Sequence, residues 1–256
     1  VFAEWRKHGQ NMMRYWGEEP WTGRSQRETL TALDRGGMAV RRSGIFDGEV
    51  ASYQLVIDGK INEPLFEHWR DQLAAWIKAE RNHPSIFVWS LENEITYINA
   101  RNFGWLKQVE PEIKKAAALV RQLDPTRPVM IDGGDALLDQ SLPVAGNHYL
   151  EQDHRDYPNE AYTLAKGYAR HTLPRPWDPW PIPTDKPLFL GESFYANGSP
   201  PAAYADLIGD AAFLGRREAS RGVAKFARML SEGYRTHGVA AFHFWFAEGP
   251  DAEHYK

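Results

Sequence analysis

The chain has 256 residues and a net charge of -4, with 30 Lys and Arg against 34 Asp and Glu. This composition has no excess of basic residues of the kind that nucleic-acid binding requires, so we expect no nucleic acid as a partner. The apolar stretches are too short to span a bilayer, so we expect no membrane as a partner either. The sequence contains no cysteine, which excludes disulfides and thiolate metal sites. Secreted, periplasmic and cytoplasmic locations all stay open, as does the oligomeric state.

Helices and strands alternate in the first half of the chain. The pattern predicts a first strand over residues 11–16, a helix from Ser25 to Asp34 and a second strand from Met38 to Arg42. Pro64 opens a helix whose apolar residues share one face. The β-branched and aromatic run from Ile86 to Trp89, which follows this helix, is typical of a strand buried on both faces.

The alternation continues with a helix from Pro111 to Leu123 and another from Arg217 to Tyr234. In total the sequence predicts seven strands, which begin near residues 11, 38, 85, 129, 144, 187 and 239. This order predicts a parallel sheet, and the length suits one (β/α)8 TIM barrel of the α/β class. Because a closed barrel needs eight strands, we expect residues 1–256 to be a single barrel domain that lacks its first strand.

Two of the predicted strands end in a glutamate. Glu94 follows the strand that begins near residue 85, and Glu192 ends the strand that begins near residue 187. The carboxyl ends of barrel strands carry the chemistry, and closure of the barrel brings distant strand ends to one rim. Glycoside hydrolysis requires two carboxylates, of which one protonates the leaving oxygen and the other attacks the anomeric carbon or activates water. Spacing alone leaves open which glutamate takes which role.

Other polar residues also stand at predicted strand ends. His148 is a candidate for contacts with sugar hydroxyls, whereas Asp132 and Asp135 either bind substrate or shape a turn, of which we favour the turn. The nine histidines form no His-x-His or His-Glu-x-x-His cluster, so we expect no metal. The Gly-x-Ser-x-Gly and Gly-x-Gly-x-x-Gly motifs are absent as well, so we expect neither a serine hydrolase nor a nucleotide cofactor.

The segment before Glu94 resembles a known family. Arg81-Asn82-His83-Pro84-Ser85-Ile86, followed by Trp89-Ser90-Leu91 and Asn93-Glu94, is similar to the acid/base signature of glycoside hydrolase family 2, the group of β-galactosidases, β-glucuronidases and β-mannosidases. The run from Asn11 to Gly17 resembles the second-strand segment of the β-mannosidase branch, and the run from Leu123 to Pro128 resembles the segment before the fifth strand. The likeness extends from about residue 2 to about residue 248.

This resemblance implies a retaining, exo-acting β-glycoside hydrolase with a carbohydrate substrate and no cofactor. Glu94 would be the general acid/base, Glu192 the nucleophile, and Asn93 a ligand of the substrate 2-hydroxyl. The further substrate-binding candidates are Arg14, Glu92, His148, Tyr149 and Trp245, with Trp245 as an aromatic floor for the sugar. Family members normally carry β-sandwich domains before the barrel, and nothing in this chain resembles them.

The chain departs from the family pattern at two places. Glu92 stands where the family usually has a small or amide residue, and it would point the same way as Glu94 if the strand stayed regular. Gly191-Glu192-Ser193-Phe194 differs from the usual Ser-Glu-Tyr or Ser-Glu-Phe and also resembles the Gly-Glu of related endo-glycanases. An endo-β-glycanase of mannanase or glucanase type and a non-catalytic carbohydrate-binding barrel therefore remain alternatives.

Overall fold

The computed structural model describes residues 2–7, 9–17, 25–48, 54–134, 136–148, 185–193, 205–214, 216–236 and 238–244. The chain divides into two compact units, Val1–Gly146 and Asn147–Lys256. In the described ranges, no helix combines the length and the apolar character that a bilayer-spanning segment needs.

The first unit alternates helices with parallel strands. In chain order its elements are α1 (Phe2–Lys7), β1 (Met12–Tyr15), α2 (Gln26–Gly36), β2 (Ala39–Asp47), β3 (Val56–Ile57), β4 (Lys60–Ile61), α3 (Glu63–Glu80), β5 (Ile86–Asn93), a π-helix (Ile95–Ala100), α4 (Leu106–Leu123) and β6 (Val129–Asp132). Strands β1, β2, β5 and β6 form a parallel sheet in that order. Their positions confirm the first four predicted strands.

The remaining elements begin at the end of the first unit. They are β7 (Ala145–His148), β8 (Leu188–Ser193), α5 (Ala205–Ile208), a 3-10 helix (Gly209–Phe213), α6 (Arg216–Thr236) and β9 (Ala241–Phe244). The last three strands form a sheet in the order β7-β8-β9, and β8 runs parallel to β9. All seven predicted strands are therefore present in the described part of the chain.

The helices of the first unit begin and pack as their sequences predict. Ser25 accepts a hydrogen bond from the backbone of Glu28, whose carboxylate accepts in return from the Ser25 backbone, so a capping box starts α2. Pro64 lies in the first turn of α3, where its missing N–H costs nothing. The buried residues of α3 recur at helical spacing and form its inner face; they are Phe66, Trp69, Leu73, Ile77 and Glu80.

Several elements differ from the sequence prediction. Helix α4 begins at Leu106, so that Pro111 lies inside the helix and removes one backbone hydrogen bond instead of opening it. Strands β3 and β4 form an unpredicted hairpin, in which Asp58 and Gly59 supply the two positive φ angles that a tight hairpin turn requires. The π-helix was not predicted either, because its backbone pattern has no sequence period of its own.

Strand β2 is longer than predicted and contains an irregularity in its second half. Its pairing with β5 changes register between Ser43 and Phe46. A Cβ at Gly44 would overlap the carbonyl oxygen of Leu91, so only glycine fits where the two strands approach. The strand continues past this point and places Asp47 beside Asn93.

Arg127 ties the loop before β5 to the start of β6. Its guanidinium donates hydrogen bonds to the carbonyls of Ile86 at 2.5 Å, Arg81 at 2.8 Å and His83 at 2.9 Å. It also pairs with Asp124 at 2.6 Å. One side chain therefore joins the two segments that resemble family motifs, residues 81–86 and 123–128, and gives both of them a structural role.

Asp124 is the anionic partner in this arrangement, and 3% of its surface is exposed. It accepts hydrogen bonds from Thr126 and from the indole of Trp89. Burial alone would raise the pKa of Asp124, but the hydrogen bonds from Thr126, Trp89 and Arg127 outweigh burial and lower the pKa to about 2.

We predict that Asp124→Asn lowers the free energy of unfolding by about 2 kcal/mol at pH 6. The pKa of the folded-state carboxyl lies below its usual 3.8, so its stabilisation is complete above pH 4 and is lost as the pH falls toward 2. Urea titrations at several pH values should show the difference between the two proteins shrinking over this range. A difference that stays constant with pH would contradict the prediction, and Asp71→Asn on the exposed face of α3 is the matched control.

A second buried ion pair lies between β2 and β6. The side chains of Arg41 and Asp132 are fully buried, and the Arg41 guanidinium contacts one carboxylate oxygen of Asp132. The other oxygen accepts a hydrogen bond from Ser90 on β5 at 2.6 Å. Buried charges need such partners because their desolvation is otherwise uncompensated, so this carboxylate links three neighbouring strands.

Asp132→Asn should therefore destabilise the protein by roughly 3 kcal/mol or more, since it leaves the Arg41 charge buried without its counter-ion. Chemical denaturation monitored by tryptophan fluorescence measures the change, again against Asp71→Asn. A loss below about 1 kcal/mol, the range of exposed ion pairs, would show that Arg41 does not depend on this carboxylate.

Candidate active site

Glu94 directly follows the last residue of β5 in a left-handed backbone conformation, with φ 56° and ψ 12°. Such a φ is uncommon outside glycine and persists where the surroundings fix it. The Glu94 N–H donates to the carbonyl of Asp132 at 2.8 Å, and a Cβ at Gly48 would come within 2.7 Å of the Glu94 carbonyl oxygen. The left-handed residue ends the strand alternation, so the regular geometry expected for Glu92 and Glu94 stops at this point.

The amide of Asn93 is held from both sides. Its Oδ1 accepts a hydrogen bond from Arg14 at 2.6 Å, and its Nδ2 donates to Asp47 at 2.9 Å. These two contacts fix which way the amide faces. An amide nitrogen carries two protons, and among the described residues Asp47 takes one of them, which leaves the second for a ligand hydroxyl.

Arg14 on β1 is the cation beside this amide. Its Nε donates to Ser43 at 2.9 Å, and its Nη2 lies 3.7 Å from the carboxylate of Asp132. The guanidinium carbon stands 3.9 Å from the centre of the Trp16 ring, a distance at which the ring face attracts a cation. Arg14 is therefore positioned by β2, β6 and the residue that follows β1, and it orients Asn93 in turn.

Glu92 lies on β5 with no exposed surface. Its Oε2 accepts a hydrogen bond from the backbone of Ile95 at 2.5 Å, and its Oε1 has no hydrogen-bond partner among the described residues. Burial raises the pKa of Glu92 well above its usual value, and the charges of Asp132 and Glu94 raise it further against the opposing backbone hydrogen bonds. The protonated carboxyl is the favoured form.

The second unit contains a buried histidine and a buried carboxylate that lie close together. Glu192 on β8 and His148 on β7 approach within 3.8 Å, from Nδ1 to Oε2. The His148 side chain is fully buried, and 9% of the Glu192 side chain is exposed. This distance is longer than a hydrogen bond, so the two groups interact through charge if the imidazole is protonated. The register between β8 and β9 shifts between Leu190 and Ser193, next to Glu192.

The structure places the predicted site residues as follows. Arg14 contacts Asn93, which precedes Glu94, and His148 lies close to Glu192. Glu92 is enclosed by protein, in contact with backbone. Glu94 belongs to the first compact unit and Glu192 to the second. The candidates Tyr149 and Trp245 lie outside the described residues.

Sequence reasoning missed the roles of two residues that shape this site, Asp132 and Asp47. Asp132 does not form the expected turn, because its carboxylate is buried against Arg41 and Ser90; Asp135 lies outside the described residues. Asp47 proves to be the hydrogen-bond partner of Asn93. The available signal was an acidic residue at the end of β2 and of β6, the two neighbours of β5. The strand pairing is needed to place these residues beside Asn93.

Comparison with known proteins identifies the family. The model for glycosyl hydrolases family 2, TIM barrel domain, matches residues 46–192, more than half of the chain and including both glutamates. The chain is 30% identical over 154 residues to a β-galactosidase from Bacteroides ovatus. This alignment covers 50% of the chain and only 16% of that enzyme.

Solved structures agree on the fold. A β-glucuronidase from Bacteroides uniformis superposes with a TM-score of 0.63 at 14% identity, over 95% of this chain and 27% of that one. An endo-1,4-β-D-mannanase from Thermotoga petrophila gives a TM-score of 0.65 at 14% identity, over 98% of this chain and 85% of that one. Together with the alternating helices and parallel strands, these likenesses confirm the predicted TIM-barrel class. The chain therefore belongs to glycosyl hydrolase family 2, a family of glycosidases, and its residues 46–192 match the TIM barrel domain of that family.

Proposed function

We propose that the protein is a retaining, exo-acting β-glycoside hydrolase that removes a terminal β-linked sugar by double displacement. The observation that carries this proposal is the Asn93-Glu94 pair at the carboxyl end of a buried strand, with Asn93 fixed by Arg14 and Asp47. A catalytic acid beside an oriented amide suits a substrate in which a glycosidic oxygen and a hydroxyl are recognised together.

In the proposed mechanism Glu94 protonates the glycosidic oxygen while Glu192 attacks the anomeric carbon and forms a glycosyl-enzyme. Glu94 then removes a proton from water, which attacks the same carbon and releases Glu192. Each step inverts the anomeric carbon, so the configuration is retained overall. The second Nδ2 proton of Asn93 binds the 2-hydroxyl, a contact that strengthens in the transition state.

The other candidates support these two glutamates in the proposal. His148, 3.8 Å from Glu192, binds a hydroxyl of the sugar that Glu192 attacks. By family resemblance we assign Tyr149 as a hydrogen-bond donor to the nucleophile and Trp245 as an aromatic floor for the sugar. Arg14 acts through Asn93, which it orients at 2.6 Å.

The names of the relatives guide the choice of sugar. A β-galactosidase and a β-glucuronidase are among the relatives found by sequence, at 30% and 37% identity, so we propose a β-galactoside or a β-glucuronide as substrate. The mannanase shares the fold at 14% identity, and a likeness at that level carries no argument for endo action.

A substrate panel tests this specificity. The full chain should hydrolyse a nitrophenyl β-galactoside or β-glucuronide faster than the β-mannoside, β-glucoside and β-glucosaminide, and should leave the viscosity of mannan and glucan solutions unchanged. A rapid fall in polymer viscosity would instead establish an endo-β-glycanase. Sugar binding without any hydrolysis would favour a carbohydrate-binding barrel.

Substitution of the two glutamates tests the roles assigned to them. Glu94→Ala should lower kcat/KM for an unactivated β-glycoside by about 10²- to 10⁴-fold, the range of general acid catalysis. Glu192→Ala should abolish turnover, because no glycosyl-enzyme can form. Glu67→Ala, an exposed carboxylate on α3, should leave the rate unchanged.

Azide distinguishes the two roles by product stereochemistry. With Glu192→Ala, azide displaces the aglycone directly and should give the α-glycosyl azide after one inversion. With Glu94→Ala and an activated substrate, azide replaces water in the second step and should give the β-glycosyl azide after two inversions. NMR of the products reads the configuration. Exchanged configurations would reverse the two roles, and normal turnover by either variant would exclude both.

A further inference from the structure

The helix that begins after Glu94 lacks the side-chain cap that its first residue normally supplies. Glu94 occupies the N-cap position of the π-helix, yet its side chain makes no capping hydrogen bond. The first backbone N–H groups of a helix have no partner inside the helix and need another acceptor. A carboxylate at the N-cap is well suited to this task, so an uncapped terminus would attract the Glu94 carboxyl.

Glu92 supplies the missing acceptor. Its Oε2 receives the Ile95 N–H at 2.5 Å, and the backbone of Thr96 acts on the same carboxyl by lowering its pKa. These are the first two residues of the helix after its N-cap. The carboxyl of Glu92 thus spans the left-handed residue between it and the helix, which holds that residue on both sides.

From this geometry we propose that Glu92 is a positioning residue, which caps the π-helix in place of Glu94 and thereby keeps the Glu94 carboxyl available as the acid/base. The inference rests on the proposed function and deepens it. It also explains the departure from the family pattern at this position, since a small residue there has no carboxyl with which to reach the Ile95 N–H.

Burial makes this arrangement compatible with catalysis. Glu92 has no exposed surface, and burial raises its pKa well above the usual value, which disfavours a negative charge on the cap beside Glu94. The Glu92 carboxyl stabilises the turn through its hydrogen bond to the Ile95 N–H.

Two variants of the full chain separate capping from packing. Glu92→Gln keeps a carbonyl oxygen for the Ile95 N–H, whereas Glu92→Met has similar length and no strong acceptor. We expect kcat/KM for an unactivated alkyl β-glycoside to fall at least 30-fold in the Met variant and no more than about 5-fold in the Gln variant. Because a dinitrophenolate leaves without protonation, kcat/KM for the dinitrophenyl glycoside should fall less than 5-fold in both.

The dependence on the leaving group is the deciding measurement, because a loss of folded protein would slow both substrates equally. Equal losses on the two substrates, or equal behaviour of the Gln and Met variants, would overturn the capping role. If Glu92→Met does not fold, Glu92→Asp replaces it, since a shorter side chain withdraws the carboxyl from the Ile95 N–H.

A crystal structure of the same variant gives a readout that does not depend on activity. In Glu92→Met the Glu94 carboxyl should turn to accept from the Thr96 N–H, or Glu94 should leave its left-handed φ. An unchanged Glu94 would overturn the inference. Absence of hydrolysis by the unsubstituted chain would count against the proposed function alone, because the structural comparison still decides whether Glu92 is the cap.

Discussion

The carboxylate of Asp132 is the constraint on which the first unit depends. It is fully buried, it pairs with Arg41, it accepts a hydrogen bond from Ser90 at 2.6 Å, and it lies 3.7 Å from Arg14. Its backbone carbonyl also receives the N–H of Glu94. A buried charge tolerates few arrangements, since each lost partner leaves an uncompensated desolvation cost. The position of the proposed acid/base is therefore set by the same residue that joins β2, β5 and β6.

Strand β2 is fixed on both of its faces. Arg41 and its neighbour Arg42 point to opposite sides of the strand. Whereas Arg41 pairs with Asp132, Arg42 forms two hydrogen bonds with Glu80 of α3, at 2.5 and 2.9 Å. One face is thus tied to strand β6, which lies beyond β5 in the sheet, and the other to the helix layer. With both faces anchored, the strand accommodates its register shift at Gly44 and still delivers its last residue to the amide of Asn93.

The sequence predicts those features that depend on local pattern. Apolar period identifies α3, and β-branched runs identify the strands, because burial selects side chains at fixed spacing. Local pattern does not predict the partners of Asn93 and Asp132. Arg14 lies 79 residues from Asn93 along the chain, and Arg41 lies 91 residues from Asp132. No local period encodes such a pairing, and it follows only from the strand order. The hairpin at Asp58-Gly59 was a missed local signal, because the dipeptide itself specifies the turn.

Glu92 and Glu94 illustrate how environment separates two identical side chains. Strand alternation predicts that they point the same way, which would place two carboxyl groups side by side. The left-handed backbone at Glu94 removes that relation, and burial raises the pKa of Glu92 well above its usual value. The Glu92 carboxyl accepts a hydrogen bond from the backbone N–H of Ile95. Its position two residues before the left-handed Glu94 allows this contact. The chain therefore accommodates a second glutamate at this strand end by burying its side chain and by using its carboxyl as a backbone hydrogen-bond acceptor.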